Sequence, residues 1–335
     1  MKILLTCSKT SSPSYIFYKN SFRDLAKQFN KVIFKSEKFT NKLLNENYDI
    51  ILFMSGTVVK KLKKINGVKF GLVDPRASNY DNFKNFDFIL ANGLEEKIFF
   101  NYTKLPTFIY PVYPKVKYKK KIFNKRKTII SYHGNKEHLV NMYPRVTGAI
   151  AKISTTHKVQ LNLIYNIKEK GKIKNFNEKN LGFKVLHKQY YNNCFNKYLF
   201  DTDIGIVPQI YPEQKRQIKR NIGNFFSKQL FKKKYKFKIE FKETTNLGRH
   251  FIFAQMKIPI ITDYTISSSN FINHKINGLL GFDSSDWYEN FKYFIENKNY
   301  SKKIGIKLFR DWKKNFSHKN LNNKLIIFFK RLNEK

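Results

Sequence analysis

The stretch from Lys242 to Gly281, KETTNLGRHFIFAQMKIPIITDYTISSSNFINHKINGLLG, leaves few folds open to this chain. A strand-like run, KFKIEFK, ends at Lys242 and is broken by Glu243-Thr244-Thr245-Asn246. The pattern then predicts a helix over Leu247–Met256 and a short apolar strand, Ile258-Pro259-Ile260-Ile261-Thr262. Thr and Asn side chains accept hydrogen bonds from the first amides of a helix, so Thr245 or Asn246 marks its start. The remaining amides and the positive end of the helix dipole attract an anion there. Gly248 allows close approach to the first turn, and Arg249 supplies a fork of donors suited to phosphate. The unit reads strand, anion-binding helix start, helix, strand.

This order resembles the donor-binding part of GT-B glycosyltransferases, in particular the family 4-like (group 1) enzymes. Their "G-x-P-V-V" strand and "N-G-x-L" turn correspond here to Lys257-Ile258-Pro259-Ile260-Ile261 and Asn277-Gly278-Leu279-Leu280. Many retaining members carry two glutamates eight positions apart in the loop. Here Glu243 is followed eight residues later by Phe251, and Glu240 by Gly248, so the pair is missing and with it the usual ribose-binding carboxylate. The resemblance implies two Rossmann-like α/β domains facing a central cleft. It also implies a UDP- or GDP-sugar as donor substrate, no further cofactor, and a C-terminal helix crossing back to the first domain.

The rest of the chain has the same grammar. Apolar strands are expected at Lys2–Thr6, Val32–Phe34, Ile50–Phe53, Lys69–Val73 and Phe88–Ala91, with an amphipathic helix at Ser21–Asn30. Pro106 to Pro114 reads as extended, and the eight basic residues between Lys115 and Lys127 read as a linker. A second series follows: strand Thr128–Tyr132, helix Leu139–Lys152, and strands Val159–Tyr165 and Asp203–Val207. The expected division is an acceptor-side domain over 1–120, a nucleotide-sugar domain over 128–310 and a crossing helix over 311–335. Phe309, Trp312 and Phe316 are the residues expected to pack on the first domain.

Open α/β sheets bind ligands at the carboxyl ends of their strands. That rule selects Tyr132, His133, Gly134 and Asn135 after one strand, Tyr165 and Asn166 after another, and Pro208 and Gln209 after a third. With Arg220, Lys242, Thr244, Thr245, Asn246, Gly248 and Arg249 they form the candidate donor site. On the acceptor side the candidates are Ser12, Tyr15 and Asn92, with Asp74 as a general base on an acceptor hydroxyl, and on the donor side His133 or His138 could donate to phosphate. Asp201-Thr202-Asp203 resembles a metal-binding D-x-D, but it precedes its strand and so lies at the wrong end; no metal site is expected.

The chain has 335 residues, 41% of them apolar, which suits two domains with real cores. Its net charge is +41, carried together with an excess of Lys, Asn, Ile, Phe and Tyr of the kind an AT-rich genome produces. A basic face would hold such a protein at an anionic membrane, where lipid-linked acceptors sit. Specific nucleic-acid binding is not expected, because the basic residues are dispersed and no recognition module is present. Cys7 and Cys194 are too few for a disulfide framework, the N-terminus lacks a signal-peptide core, and no apolar run spans a bilayer. The expected place is the cytoplasm, at the inner face of the membrane. The function expected is sugar transfer to a hydroxyl of a glycan or lipid-linked precursor. The rivals are a nucleotide-sugar epimerase of the same fold and a non-catalytic polyanion-binding protein.

Overall fold

The computed structural model describes residues 1–8, 10, 12–54, 62, 64–75, 83–116, 118, 127–140, 142–173, 181–192, 194–209 and 246–334. Its strands form two six-stranded sheets, each parallel throughout. The first contains β1 (Lys2–Cys7), β2 (Ile33–Lys38), β3 (Ile50–Met54), β4 (Lys69–Val73), β5 (Phe88–Ala91) and β6 (Thr107–Ile109), in the order β2-β1-β3-β4-β5-β6. The second contains β7 (Thr128–His133), β8 (Val159–Tyr165), β9 (Lys184–Gln189), β10 (Ile204–Val207), β11 (Ile260–Asp263) and β12 (Leu279–Gly281), in the order β12-β11-β10-β7-β8-β9. Parallel strands covered on both faces favour continuous apolar runs such as β3 (IILFM), and β8 (VQLNLIY) is also buried along its whole length, its Gln160 donating to Asn162 at 2.7 Å. In each sheet the chain begins centrally, winds outward one way and then reverses. The reversals lie between β1 and β3 and between β7 and β10.

The described helices are α1 (Pro13–Gln28), α2 (Leu94–Phe99), α3 (Lys136–Val140), α4 (Arg145–Ser154), α5 (Ile167–Lys170), α6 (Gly248–Gln255), α7 (Ile266–Phe271), α8 (Ser284–Glu296), α9 (Lys298–Phe316) and α10 (His318–Asn333). Two departures from expectation follow from capping and proline chemistry. α1 begins eight residues before the expected Ser21, because Ser12 caps it by accepting the Tyr15 amide at 3.2 Å and Pro13 supplies a preset first position. The single helix expected over Leu139–Lys152 is two, since Pro144 has no amide to continue α3 and instead precedes α4.

The tail crosses back to the first sheet, and of the expected aromatics it is Trp312 that meets a residue of 1–120, packing edge-on against Tyr113. Phe316 stacks on Phe251 and meets Phe271 edge-on, while Phe309 lies under the Lys257 ammonium, all within the second half. Trp312 reaches the junction, where its indole donates to the Tyr113 hydroxyl at 3.1 Å. The crossing belongs to α10: Phe329 packs edge-on against Phe88, Phe328 packs against Phe88 and Phe108, and Asn322 accepts from the Tyr110 hydroxyl at 2.8 Å. At the turn between α9 and α10, the Tyr113 hydroxyl also donates to the Phe316 carbonyl, and the His318 ring lies 4.3 Å from that of Tyr113.

Candidate functional site

The reversal between β7 and β10 opens a crevice at their carboxyl ends, and three loops meet there. After β7, the Tyr132 hydroxyl donates to the Asn135 carbonyl at 2.7 Å and closes the turn. Gly134 sits at φ +142°, and a Cβ on it would stand 2.8 Å from the Tyr132 hydroxyl, so the turn requires glycine. From the start of α6, Arg249 reaches across the crevice. Its guanidinium donates to the Pro208 carbonyl after β10 at 3.2 Å, lies 5.9 Å from the Tyr132 ring centroid, and comes within 3.5 Å of His138 Nε2. One cation is thereby held against the loops on both sides of the switch point. Burial pushes the Tyr132 phenol up to about 12, with Arg249 opposing, so it stays neutral and acts as a donor.

Beneath the crevice lies a polar layer that the sequence did not announce. Asp263, fully buried at the end of β11, takes both guanidinium nitrogens of Arg145 at 2.5 and 2.8 Å. It also accepts the Trp287 indole at 3.1 Å and the Gln209 amide at 2.5 Å. Next to it, His250 Nε2 lies 2.9 Å from the Thr262 hydroxyl and 3.2 Å from that of Ser268, and Ser268 donates to the Gln209 side-chain carbonyl at 3.3 Å. Together these contacts fix the ends of β10 and β11 and the starts of α4, α6 and α7. A polar bridge also links the halves: the Glu95 carboxylate of α2 accepts both the amide and the hydroxyl of Ser267 on α7, at 2.8 Å for the amide.

The structure gives several candidate residues specific places. His133 is a core residue, packed between Phe195 and Phe253 and hydrogen-bonded to the backbone of Arg249. It is neutral and positions α6, which corrects its reading as a phosphate donor. Gly248 is required by the chain itself: a Cβ there would lie 2.8 Å from the Val112 carbonyl oxygen, so the close approach is that of the linker. The Gly248 amide already donates to the Asn246 side chain at 2.7 Å, so that amide is taken within the chain. Asn135 caps α3 by accepting the Glu137 amide at 3.1 Å. Asn166 caps α5 by accepting the Glu169 amide at 3.3 Å, and the Tyr165 hydroxyl pairs with His187 at 3.0 Å.

In the first half, Tyr15 is buried in the core and Ser12 serves as the α1 cap. Asn92 is buried and accepts from the Tyr18 hydroxyl at 2.9 Å. Asp74, at the end of β4, has φ 50° and donates its amide to the Leu90 carbonyl at 3.0 Å. Asp203 lies at the amino end of β10, where its carboxylate accepts the Ile129 amide at 2.8 Å. Arg220, Lys242, Thr244 and Thr245 lie outside the described residues. Sequence reasoning missed Asp263, Arg145, His250 and Glu95. An acid ending an apolar strand run was the legible signal for Asp263; Arg145 and Glu95 declare themselves only through partners distant in sequence.

Burial is the main force pushing both His133 and His250 down to about 3, with the Arg249 charge adding to it. A histidine in the unfolded chain protonates near 6.5. The unfolded state therefore binds more protons over the window from about 6.5 down to about 3, and stability is present above that window and lost as pH falls through it. The slope is expected to be on the order of 1 kcal/mol per pH unit for each histidine. Urea midpoints at a series of pH values test this, and a His250→Gln variant should show a shallower slope.

No protein-family model matches the sequence, and no curated protein matches it. Solved structures do. Anabaena HepE in complex with UDP and glucose is 12% identical, with 99% of this chain and 100% of that chain covered at a TM-score of 0.65. A glycosyltransferase from Rickettsia africae is 14% identical, covering 99% and 98% at 0.62. Sucrose-phosphate synthase from Thermosynechococcus elongatus is 10% identical, covering 99% of both chains at 0.65. The likeness runs the length of the chain and, with the two parallel sheets, shows a GT-B fold.

Proposed function

We propose that the protein is a glycosyltransferase that moves a sugar from a nucleotide-sugar to an acceptor hydroxyl in glycan or surface-polymer biosynthesis. The observation that carries this reading is Arg249, held by its Pro208 contact across the switch-point crevice of the second sheet. In an open α/β sheet that crevice is where nucleotides bind. The diphosphate of a UDP- or GDP-sugar fits there, with its negative charge against the guanidinium. As the acceptor oxygen attacks the anomeric carbon and the bond to the diphosphate breaks, negative charge accumulates on the leaving group. A preorganised cation meets that charge without reorganisation. HepE has been seen with UDP, with UDP and glucose, and with UDP-glucose, which supports the choice of donor class.

In this reading residues 128–310 form the donor domain, 1–120 the acceptor-side domain, and the 311–335 segment ties them together. Cleft opening then hinges at Tyr113 and His318, where the linker passes the turn between α9 and α10. The net charge of +41 suits peripheral attachment to an anionic membrane at its cytoplasmic face, beside a lipid-linked acceptor, each basic residue near the surface adding roughly 1 kcal/mol. No helix among the described residues is long and apolar enough to cross a membrane.

A thermal-shift panel of nucleotide-sugars tests the proposal. A true donor at one hundred times its dissociation constant stabilises the fold by roughly 2.7 kcal/mol. Stabilisation by one UDP- or GDP-sugar, followed by its turnover with an acceptor, is the expected result. A panel in which no nucleotide-sugar shifts the melting temperature would overturn the reading.

A further inference from the structure

Four large apolar side chains stand in solvent at the carboxyl-end rim of the second sheet: Tyr143 (60% exposed), Tyr264 (58%), Ile266 (50%) and Phe282 (65%). They are neighbours in space. β11 and β12 pair in register through Asp263 and Gly281, and the Tyr264 amide donates to the Gly281 carbonyl at 3.0 Å. Tyr264 and Phe282 therefore leave adjacent strand ends side by side. Tyr143 lies two residues before Arg145, whose guanidinium donates to the Phe282 carbonyl at 3.1 Å. Ile266 opens α7, and the next residue, Ser267, is the one bonded to Glu95 of the first half. The cluster thus flanks the gap between the halves, at the same end of the sheet as Arg249.

Its charge is opposite in character to the rest of the chain. From Ile258 to Phe291 the sequence has a single basic residue, Lys275, against Asp263, Asp283, Asp286 and Glu289, in a protein of net charge +41. Arg145, which enters the rim, is neutralised by its two-point contact with Asp263. An anionic lipid headgroup or polyanion would meet the exposed carboxylates Asp283, Asp286 and Glu289 beside this cluster. Exposed aromatic faces instead suit the C–H faces of an uncharged pyranose ring, and exposed apolar clusters at a cleft mouth mark ligand sites.

We infer that this rim is an acceptor platform that holds an uncharged stretch of glycan by stacking on Tyr264, Phe282 and Tyr143. The inference rests on the glycosyltransferase reading and adds to it the acceptor's chemistry and a binding surface on the donor half.

Saturation-transfer NMR on the full chain tests it, with cellohexaose and maltohexaose as neutral probes and a heparin hexasaccharide and phosphatidylserine vesicles as anionic ones. UDP binding is measured on the same samples. Transfer to the C–H protons of a neutral probe is expected, weakened about tenfold in a Tyr264→Ser/Phe282→Ser variant. The variant should keep its melting temperature and its UDP affinity, since both side chains are exposed. The platform is overturned if neither neutral probe shows transfer, if the variant binds as the wild type does, if the variant loses vesicle binding instead, or if sedimentation shows that the patch is the face of a dimer. Intact UDP binding beside any of these results would sink the platform alone. Absent UDP binding in the wild type would count against the donor reading.

Discussion

Asp263→Ala is expected to cost about 3–5 kcal/mol, the loss typical of breaking a buried ion pair by removing one partner. The substitution strands Arg145, which is itself largely buried, and at the same time removes the acceptor for the Trp287 indole and the Gln209 amide. Against a total stability of roughly 5–15 kcal/mol for a native protein, that leaves the second half close to unfolding at ambient temperature. Asp263→Asn should be milder, since it keeps the shape and one acceptor but gives up the charge-assisted fork. Arg145→Met in the Asp263→Asn background should recover part of the loss, because no unpaired charge then remains. Urea denaturation of the single and double variants decides this. A loss below about 1 kcal/mol for Asp263→Ala would mean that the carboxylate does not organise the layer under the crevice.

The contrast between Asp263 and Arg249 shows what the sequence could and could not reveal. The strand run Phe88–Ala91 was legible residue for residue, because a parallel strand buried on both faces leaves an unbroken apolar signature. Loop residues such as Gly134 after β7 and Pro208 after β10 could be selected by position alone, since the sheet fixes where the crevice opens. Their individual roles were less so. His133 looks like a ligand in one dimension and is a packed neutral ring in three. Gly248 looks like room for a ligand and is room for the linker carbonyl of Val112. Arg145, Glu95 and Ser267 were illegible because their partners lie more than a hundred residues away. The edge strand β9, KVLHKQ, is only partly buried, and its charged residues hid it.

Arg249→Ala should weaken binding of the nucleotide diphosphate by about 10- to 100-fold, the worth of a hydrogen bond to a charged group at roughly 1.5–3 kcal/mol. The prediction depends on geometry rather than on charge count, because a chain with 65 basic residues has no shortage of cations. Arg249 is distinguished by its fixation: the Pro208 carbonyl and the Tyr132 ring hold the guanidinium from two sides, and His133 fixes the backbone behind it. A cation already held in place loses little side-chain entropy when the phosphate arrives. Arg249→Lys keeps the charge but not the fork and should fall between alanine and the wild type. The variants should remain folded, since the side chain is only partly buried at a loop-lined crevice. Calorimetry with UDP and GDP on the three proteins, beside their melting curves, separates binding from stability. If the wild type binds either nucleotide and Arg249→Ala binds it equally well, the diphosphate does not sit at this switch point. The donor site would then have to be sought elsewhere in the cleft.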